Sequence, residues 1–362
     1  MRTKMMVAVV VLVAGCGPMA ELGIVHPKSS GGIVHTFSQG GDGDHVNVYW
    51  FDTQTGPIVV DVPATTSEAK KMRGKMIRPY RIYITEATPT HFGGLAAMRQ
   101  PDVAAWTTPA IATEIQNHGD QRLGALRRRV GDDVPGHVDA PTPAVEERMH
   151  DIVGEVEVEV IPLGPAAAEA SLAVYLPKTG ELIAGDVVAG KQHLDLTWGR
   201  SKVWQDRIAE LKALEPKLVY PSHGAAGGGE LLDDTLAYLK FFHDTVAEHV
   251  KQGAPARIAG GAAADIKRRM LARYPKLGRA ELLDKSIPAE YAVQLAELAP
   301  GAPGSDQQAA AGSAPPSDVT PASSTPAATP AASSAAPSSG GSMDDLLGDS
   351  ETPGAKKKKS KK

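Results

Sequence analysis

Tyr83-Ile84-Thr85-Glu86-Ala87-Thr88-Pro89-Thr90-His91-Phe92-Gly93-Gly94-Leu95 is the stretch on which the fold of this chain turns. The apolar run Arg81-Ile82-Tyr83-Ile84 predicts a buried strand that delivers a polar turn. The Gly93-Gly94 pair then opens a helix over residues 95–99. Polar residues gathered at a strand end, between a strand and a helix, point to an α/β class.

Working outward, the upstream sequence predicts a hairpin. Residues 45–51 alternate like a half-buried strand, residues 53–56 form a turn, and residues 57–62 form a second strand ending at Asp61. A basic helix over residues 67–76 leads to the central turn. Downstream, a short strand over residues 101–106 precedes helical spacing over residues 110–130, then a loop over residues 131–143. The basic run Arg127-Arg128-Arg129 is expected on a solvated helix face. In residues 155–160 glutamate and valine alternate strictly, which sends the valines to a core and the glutamates to water.

A strand over residues 171–176 and another over 181–184 follow, the latter ending in Gly185-Asp186. In the helix over residues 202–214, Trp204, Ile208 and Leu211 share one face. A strand over residues 217–220 ends in Pro221-Ser222-His223-Gly224. Leu232, Leu236, Leu239, Phe242, Val246 and Val250 mark one face of a long helix. Residues 251–299 form a helical extension of mixed charge.

The chain has 362 residues and a formal net charge of -4, which argues against a general nucleic-acid binder. Arg2 and Lys4 precede the apolar run Val7 to Val13, and small residues lead into Cys16. This is a secretory signal pattern over residues 1–15. Val13-Ala14-Gly15-Cys16 resembles a bacterial lipobox, which implies a lipidated Cys16 and a tether over residues 16–30. Cys16 is the single cysteine, so no internal disulfide forms. The expected location is the bacterial cell envelope, periplasm-facing or extracellular, held by membrane lipid through Cys16. From residue 300 to 362 the composition collapses to Ala, Pro, Ser and Gly, which predicts a disordered tail. Its terminal lysine run, Lys356 to Lys362, is either a solubilising end or a contact for an anionic surface.

The central turn resembles the metal-binding turn of the metallo-β-lactamase superfamily, whose usual form is T-H-x-H-x-D-H-x-G-G. The resemblance covers residues 31–250 and implies a four-layer αββα sandwich with a site along one sheet edge. Aligned on His91-Phe92-Gly93-Gly94, Glu86 stands where the first histidine belongs, Thr88 replaces the second, Thr90 replaces the aspartate, and His91 is retained. Gly164-Pro165-Ala166-Ala167 puts Ala167 at the lone middle histidine. Gly185-Asp186 and Pro221-Ser222-His223-Gly224 keep the last two ligands.

These losses abolish one zinc site and leave His91, Asp186 and His223 of the other, with Glu86 as an additional oxygen donor. A catalytic zinc needs about three protein ligands and an open position. Thr90 cannot take up a proton at neutral pH, so the usual base is missing. Two readings stand side by side. In one, the residues hold a single zinc. In the other, they hydrogen-bond one another in a metal-free cleft with no cofactor. Thr88, Thr90, Ala167 and His193 are expected to line that cleft, and Asp61 is expected to be structural. Ser222 lacks a G-x-S-x-G context, so no nucleophilic triad is indicated. The leading expectation is a weakened or inactive hydrolase homologue, a pseudoenzyme whose cleft binds a small molecule or an envelope protein. The alternatives are a mononuclear zinc hydrolase of an ester, thioester or lactam-like bond, and a scaffold acting through its tail.

Overall fold

The computed structural model of the protein describes residues 32–39, 45–77, 79, 81–251 and 253–298. The signal segment, Cys16, the tether and the C-terminal tail lie outside the described residues.

The first sheet contains β1 (His35–Ser38), β2 (Asn47–Phe51), β3 (Ile58–Val60), β4 (Arg81–Tyr83), β5 (Ala104–Thr107) and β6 (Thr142–Pro143), side by side in that order. β1, β2 and β3 pair antiparallel; β3 to β6 run parallel. The second sheet has the order β11-β10-β9-β8-β7, built from β7 (Met149–Val153), β8 (Val156–Gly164), β9 (Ser171–Leu176), β10 (Glu181–Ala189) and β11 (Leu218–His223). β10 and β11 are parallel and the other pairs antiparallel. β1, β6 and β7 carry too little apolar alternation to be legible in the sequence.

Period-two alternation builds the two cores. Val158, Val160, Leu172, Val174, Ile183 and Tyr220 join the core that includes the first sheet. Their neighbours Ile161, Ala173, Leu182, Ala184 and Val219 point the other way, into a second core shared with helices. On the far side of the first sheet lie α1 (Thr66–Arg73), α3 (Leu95–Met98) and α4 (Pro109–Val130), which contribute Met72, Leu95 and Ile115. On the far side of the second sheet lie α5 (Ser201–Lys212), α6 (Glu230–Ala247), α7 (Gly260–Arg273) and α8 (Leu283–Glu297). They bury Trp204, Phe242, Met270 and Ile287. The result is the expected four-layer αββα sandwich.

The extension after residue 250 completes this outer layer, because Ile266, Met270, Leu283 and Tyr291 are core residues. Ser201, at the start of α5, donates its backbone N–H and its hydroxyl to the buried Glu290 carboxylate of α8, at 3.0 and 2.5 Å. His243 of α6 lies 3.1 Å from the same carboxylate. One buried acid thus ties three helices together. No helix among the described residues is long and apolar enough to cross a membrane.

Candidate metal centre

The central turn is held by backbone contacts that have nothing to do with its ligands. The Val62 N–H donates to the His91 carbonyl at 2.9 Å, and the Gly94 N–H to the Pro63 carbonyl at 2.8 Å. A Cβ on Gly93 would sit 2.5 Å from the Ala64 carbonyl oxygen, and one on Gly94 would sit 2.4 Å from that of Pro63. The glycine pair is therefore required by the close approach of the segment after β3. Its retention beside altered ligands has a steric cause. Gln39, buried and unforeseen from sequence, braces the same place. Its amide donates to the Thr90 carbonyl at 2.9 Å and accepts from the Ala64 N–H at 2.8 Å.

The turn includes α2 (Pro89–Phe92), with Pro89 in its first turn and His91 in its last. His91 is fully buried. Its Nδ1 lies 2.9 Å from Asp61 Oδ2. Asp61 also accepts from the Thr85 N–H at 2.8 Å and the Thr85 hydroxyl at 2.7 Å. Asp61, which directly follows β3 with a left-handed φ of 63°, thus contacts both the His91 ring and Thr85. The arrangement fixes the ring and aims Nε2 inward, where it faces Glu86 Oε1 at 3.7 Å and Asp186 Oδ2 at 3.5 Å.

Asp186 reaches the site because β10 breaks register around Gly185, whose φ is 57°. A Cβ there would meet the Thr85 hydroxyl at 3.0 Å. The other carboxylate oxygen of Asp186 lies 3.5 Å from His223 Nε2. His223 ends β11, and its turn is held across the sheets by Asn47, which donates to the Gly224 carbonyl at 2.7 Å, and by the Tyr49 hydroxyl, which donates to the Pro221 carbonyl at 2.5 Å.

The ligand atoms of Glu86, His91 and Asp186 all lie within 4.8 Å of one another. Sequence reasoning placed His91, Asp186 and His223 together and made Glu86 optional. The structure brings Glu86 into mutual reach and leaves His223 on the other oxygen of Asp186. His91 and His223 approach the two oxygens of Asp186 at 3.5 Å, ion-pair contacts longer than ordinary hydrogen bonds, and His91 Nε2 and Asp186 Oδ1 are buried without a close hydrogen-bond partner. Buried polar atoms left unpaired are costly, which is the mark of a site shaped around something else.

The electrostatics agree. Burial, reinforced by Asp186, pushes the Glu86 carboxyl up to about 8. Burial also disfavours charge on Asp186, but His91 and His223 outweigh it and hold that carboxyl low. Burial works against a charged His91, yet Asp61, Glu86 and Asp186 prevail and raise its pKa well above the ordinary imidazole range. The cluster has more carboxylate than its imidazoles neutralise, so it takes up either protons or a cation. Donor atoms about 2.0–2.2 Å from a common ion stand roughly 3–3.5 Å apart. The His91 separations of 3.5 and 3.7 Å lie near that range, and with all three donors within 4.8 Å of one another the residues fit a divalent metal after an inward adjustment.

Above the cluster opens a cavity of about 470 Å³. Thr88, Thr90 and Ala167 line it together with Glu86, Asp186 and His223, so the altered ligand positions face free space. His193 does not line it, contrary to expectation. Its ring is buried in the helical layer, with Nδ1 2.9 Å from the Tyr238 hydroxyl, because the chain after Lys191 is drawn toward Gly278. The basic run of α4 is exposed along its length, as expected for a solvated helix face. Arg127 pairs with Asp132 at the surface, and the exposed Arg129 also borders the cavity, as does Arg122. Arg122 donates to the Ala87 carbonyl at 2.9 Å and to Glu114 at 2.6 Å, so it braces the turn from α4. Trp198 stands on the cavity lining and is 42% exposed.

No protein-family model and no curated protein matches the sequence. Among solved structures, the chain is similar to a metallo-beta-lactamase from Pontibacter korlensis, at 20% identity over 57% of this chain and 94% of that one, with a TM-score of 0.47. It is also similar to TMB-1, at 16% identity over 57% of this chain and 92% of that one, with a TM-score of 0.44.

Proposed function

We propose that this chain is a weakened or inactive relative of the hydrolases its turn resembles, and that its cleft holds one divalent cation and binds a small molecule. The observation that carries the reading is the buried, unpartnered Nε2 of His91, fixed by Asp61 and facing two carboxylates. Glu86, His91 and Asp186 would hold the ion, with His223 standing near the other oxygen of Asp186. Such an ion supplies Lewis-acid activation of a carbonyl or of water. The chain's own residues contribute little beyond that. Thr90 stands on the cavity wall where a carboxylate base is wanted, and a hydroxyl does not accept a proton at neutral pH. Thr88 and Ala167 offer no nitrogen for a second ion.

The cavity volume suits a small molecule better than a protein partner. Lipidation of Cys16 would hold this cleft at the envelope surface, and the cationic lysine run of the tail would add a contact to an anionic surface. A mononuclear hydrolase is the second reading, favoured by Glu86, Asp186 and His223 all facing the cavity. Turnover of ester, thioester and lactam substrates by metal-loaded protein decides between them. The first reading expects little or no hydrolysis, with a gain in Thr90→Asp. Wild-type turnover on the order of 10 s⁻¹, the ordinary enzyme range, would favour the second.

A further inference from the structure

We infer that the turn is remodelled rather than decayed, and that Glu86 tunes its site toward hard divalent cations of the manganese(II) class at the expense of zinc. The inference rests on the single-cation reading and deepens it.

The first observation is the donor set. The atoms in mutual reach are one imidazole nitrogen and two carboxylate oxygens. Carboxylate and water ligands suit magnesium, calcium and manganese, whereas imidazole and thiolate suit zinc and its neighbours. The retained His91 keeps the site attractive to a transition ion. Glu86, standing at a position the resembled family gives to histidine, exchanges a nitrogen donor for a carboxyl oxygen.

The second observation is what holds Glu86. The Thr88 hydroxyl donates to Glu86 Oε1, the same oxygen that faces His91 Nε2. Glu86 is itself 3% exposed. Thr88 thus occupies a second altered ligand position and serves as the holder of the first. The pair is mutually adapted. A decayed turn has no reason to bury a carboxyl group, give it a hydroxyl donor and aim it at an imidazole nitrogen that lacks a hydrogen-bond partner. Two of the three donors have their own holder, Asp61 for His91 and Thr88 for Glu86. Outer partners of this kind orient metal ligands and strengthen binding.

The test uses the full chain, stripped of metal and titrated with manganese(II), followed by electron paramagnetic resonance, and with zinc(II) in competition. Glu86→His is expected to raise the zinc-to-manganese affinity ratio by on the order of tenfold, the scale on which single changes around a metal act. Thr88→Val, which keeps the shape and removes the donor, is expected to weaken manganese binding by about 10–100-fold. Should Glu86→His fail to fold, Glu86→Gln is expected to lose more manganese affinity than zinc affinity. A ratio unmoved by Glu86→His, or by Glu86→Gln in its place, would overturn the inference while leaving the single-cation reading intact. Manganese affinity unchanged by Thr88→Val would overturn the paired-adaptation argument. Binding of neither ion to the wild-type chain would overturn both the inference and the reading beneath it.

Discussion

The Nδ1 of His91 lies 2.9 Å from Oδ2 of Asp61, and both side chains are shut away from solvent. Because Asp61 takes that nitrogen, the opposite one is left to face Glu86 and Asp186. The same carboxylate holds the Thr85 backbone and hydroxyl. One residue at the end of β3 therefore sets both the path of the turn and the aim of its imidazole. Asp61→Asn is expected to keep the fold, since an amide oxygen can still accept from the Thr85 N–H, and to weaken cation binding by about 10–100-fold. Asp61→Ala is expected to cost about 3–5 kcal/mol of stability, because it leaves buried partners uncompensated. Calorimetric metal titration and denaturant unfolding check the two expectations separately.

The Glu290 anchor gives a prediction in pH. The Glu290 hydrogen bond raises the pKa of His243, with Asp244 and Glu297 adding to it against the effect of burial. Burial would raise Glu290, but His243, Ser201 and Gln294 prevail and lower it. A raised histidine stabilises fully below its unfolded pKa, near 6.5, and the contribution fades as pH climbs through the higher folded value. A lowered glutamate stabilises above its unfolded pKa, near 4.3, and the contribution is lost as pH falls through the lower folded value. His243→Gln is thus expected to lower the melting temperature more at pH 6 than at pH 9. An equal drop at both values would remove the ion-pair account of this anchor.

The proposed envelope location rests on one group, the thiol of Cys16. Cys16→Ala is expected to move the protein from the membrane fraction to the soluble fraction and to abolish incorporation of labelled fatty acid. Unchanged membrane retention in the variant would show that something other than a lipidated cysteine holds the chain.

Much of the fold was legible because local chemistry announced it. Val158 and Val160 alternate with glutamates, Gly185-Asp186 closes a strand, and Gly93-Gly94 opens a helix, all within short windows. His91, Asp186 and His223 were legible for the same reason, since each sits in a short turn with its own glycine. What escaped depends on packing between distant segments. His193 is two residues beyond Lys191, and only the pairing of that segment with Gly278 turns its ring into the helical layer. Arg129 belongs to a run that is solvated as its sequence suggests, and only the packing of distant segments shows that it also borders the cavity. Gln39 bridges two backbone groups far from it in sequence, and no pattern marks such a brace. Glu86 was visible as a substitution. Its partnership with Thr88 needed coordinates.

The central claim is that His91 and two carboxylates hold one divalent cation, and elemental analysis tests it most directly. Full-length protein, purified without tag or chelator and dialysed against a mixture of manganese and zinc, is expected to carry about one divalent ion per chain, the stoichiometry of a single closed donor set. His91→Ala is expected to carry none, and Glu86→Gln clearly less than the wild type. Wild-type protein free of metal, or metal that stays bound after His91→Ala, would contradict the account.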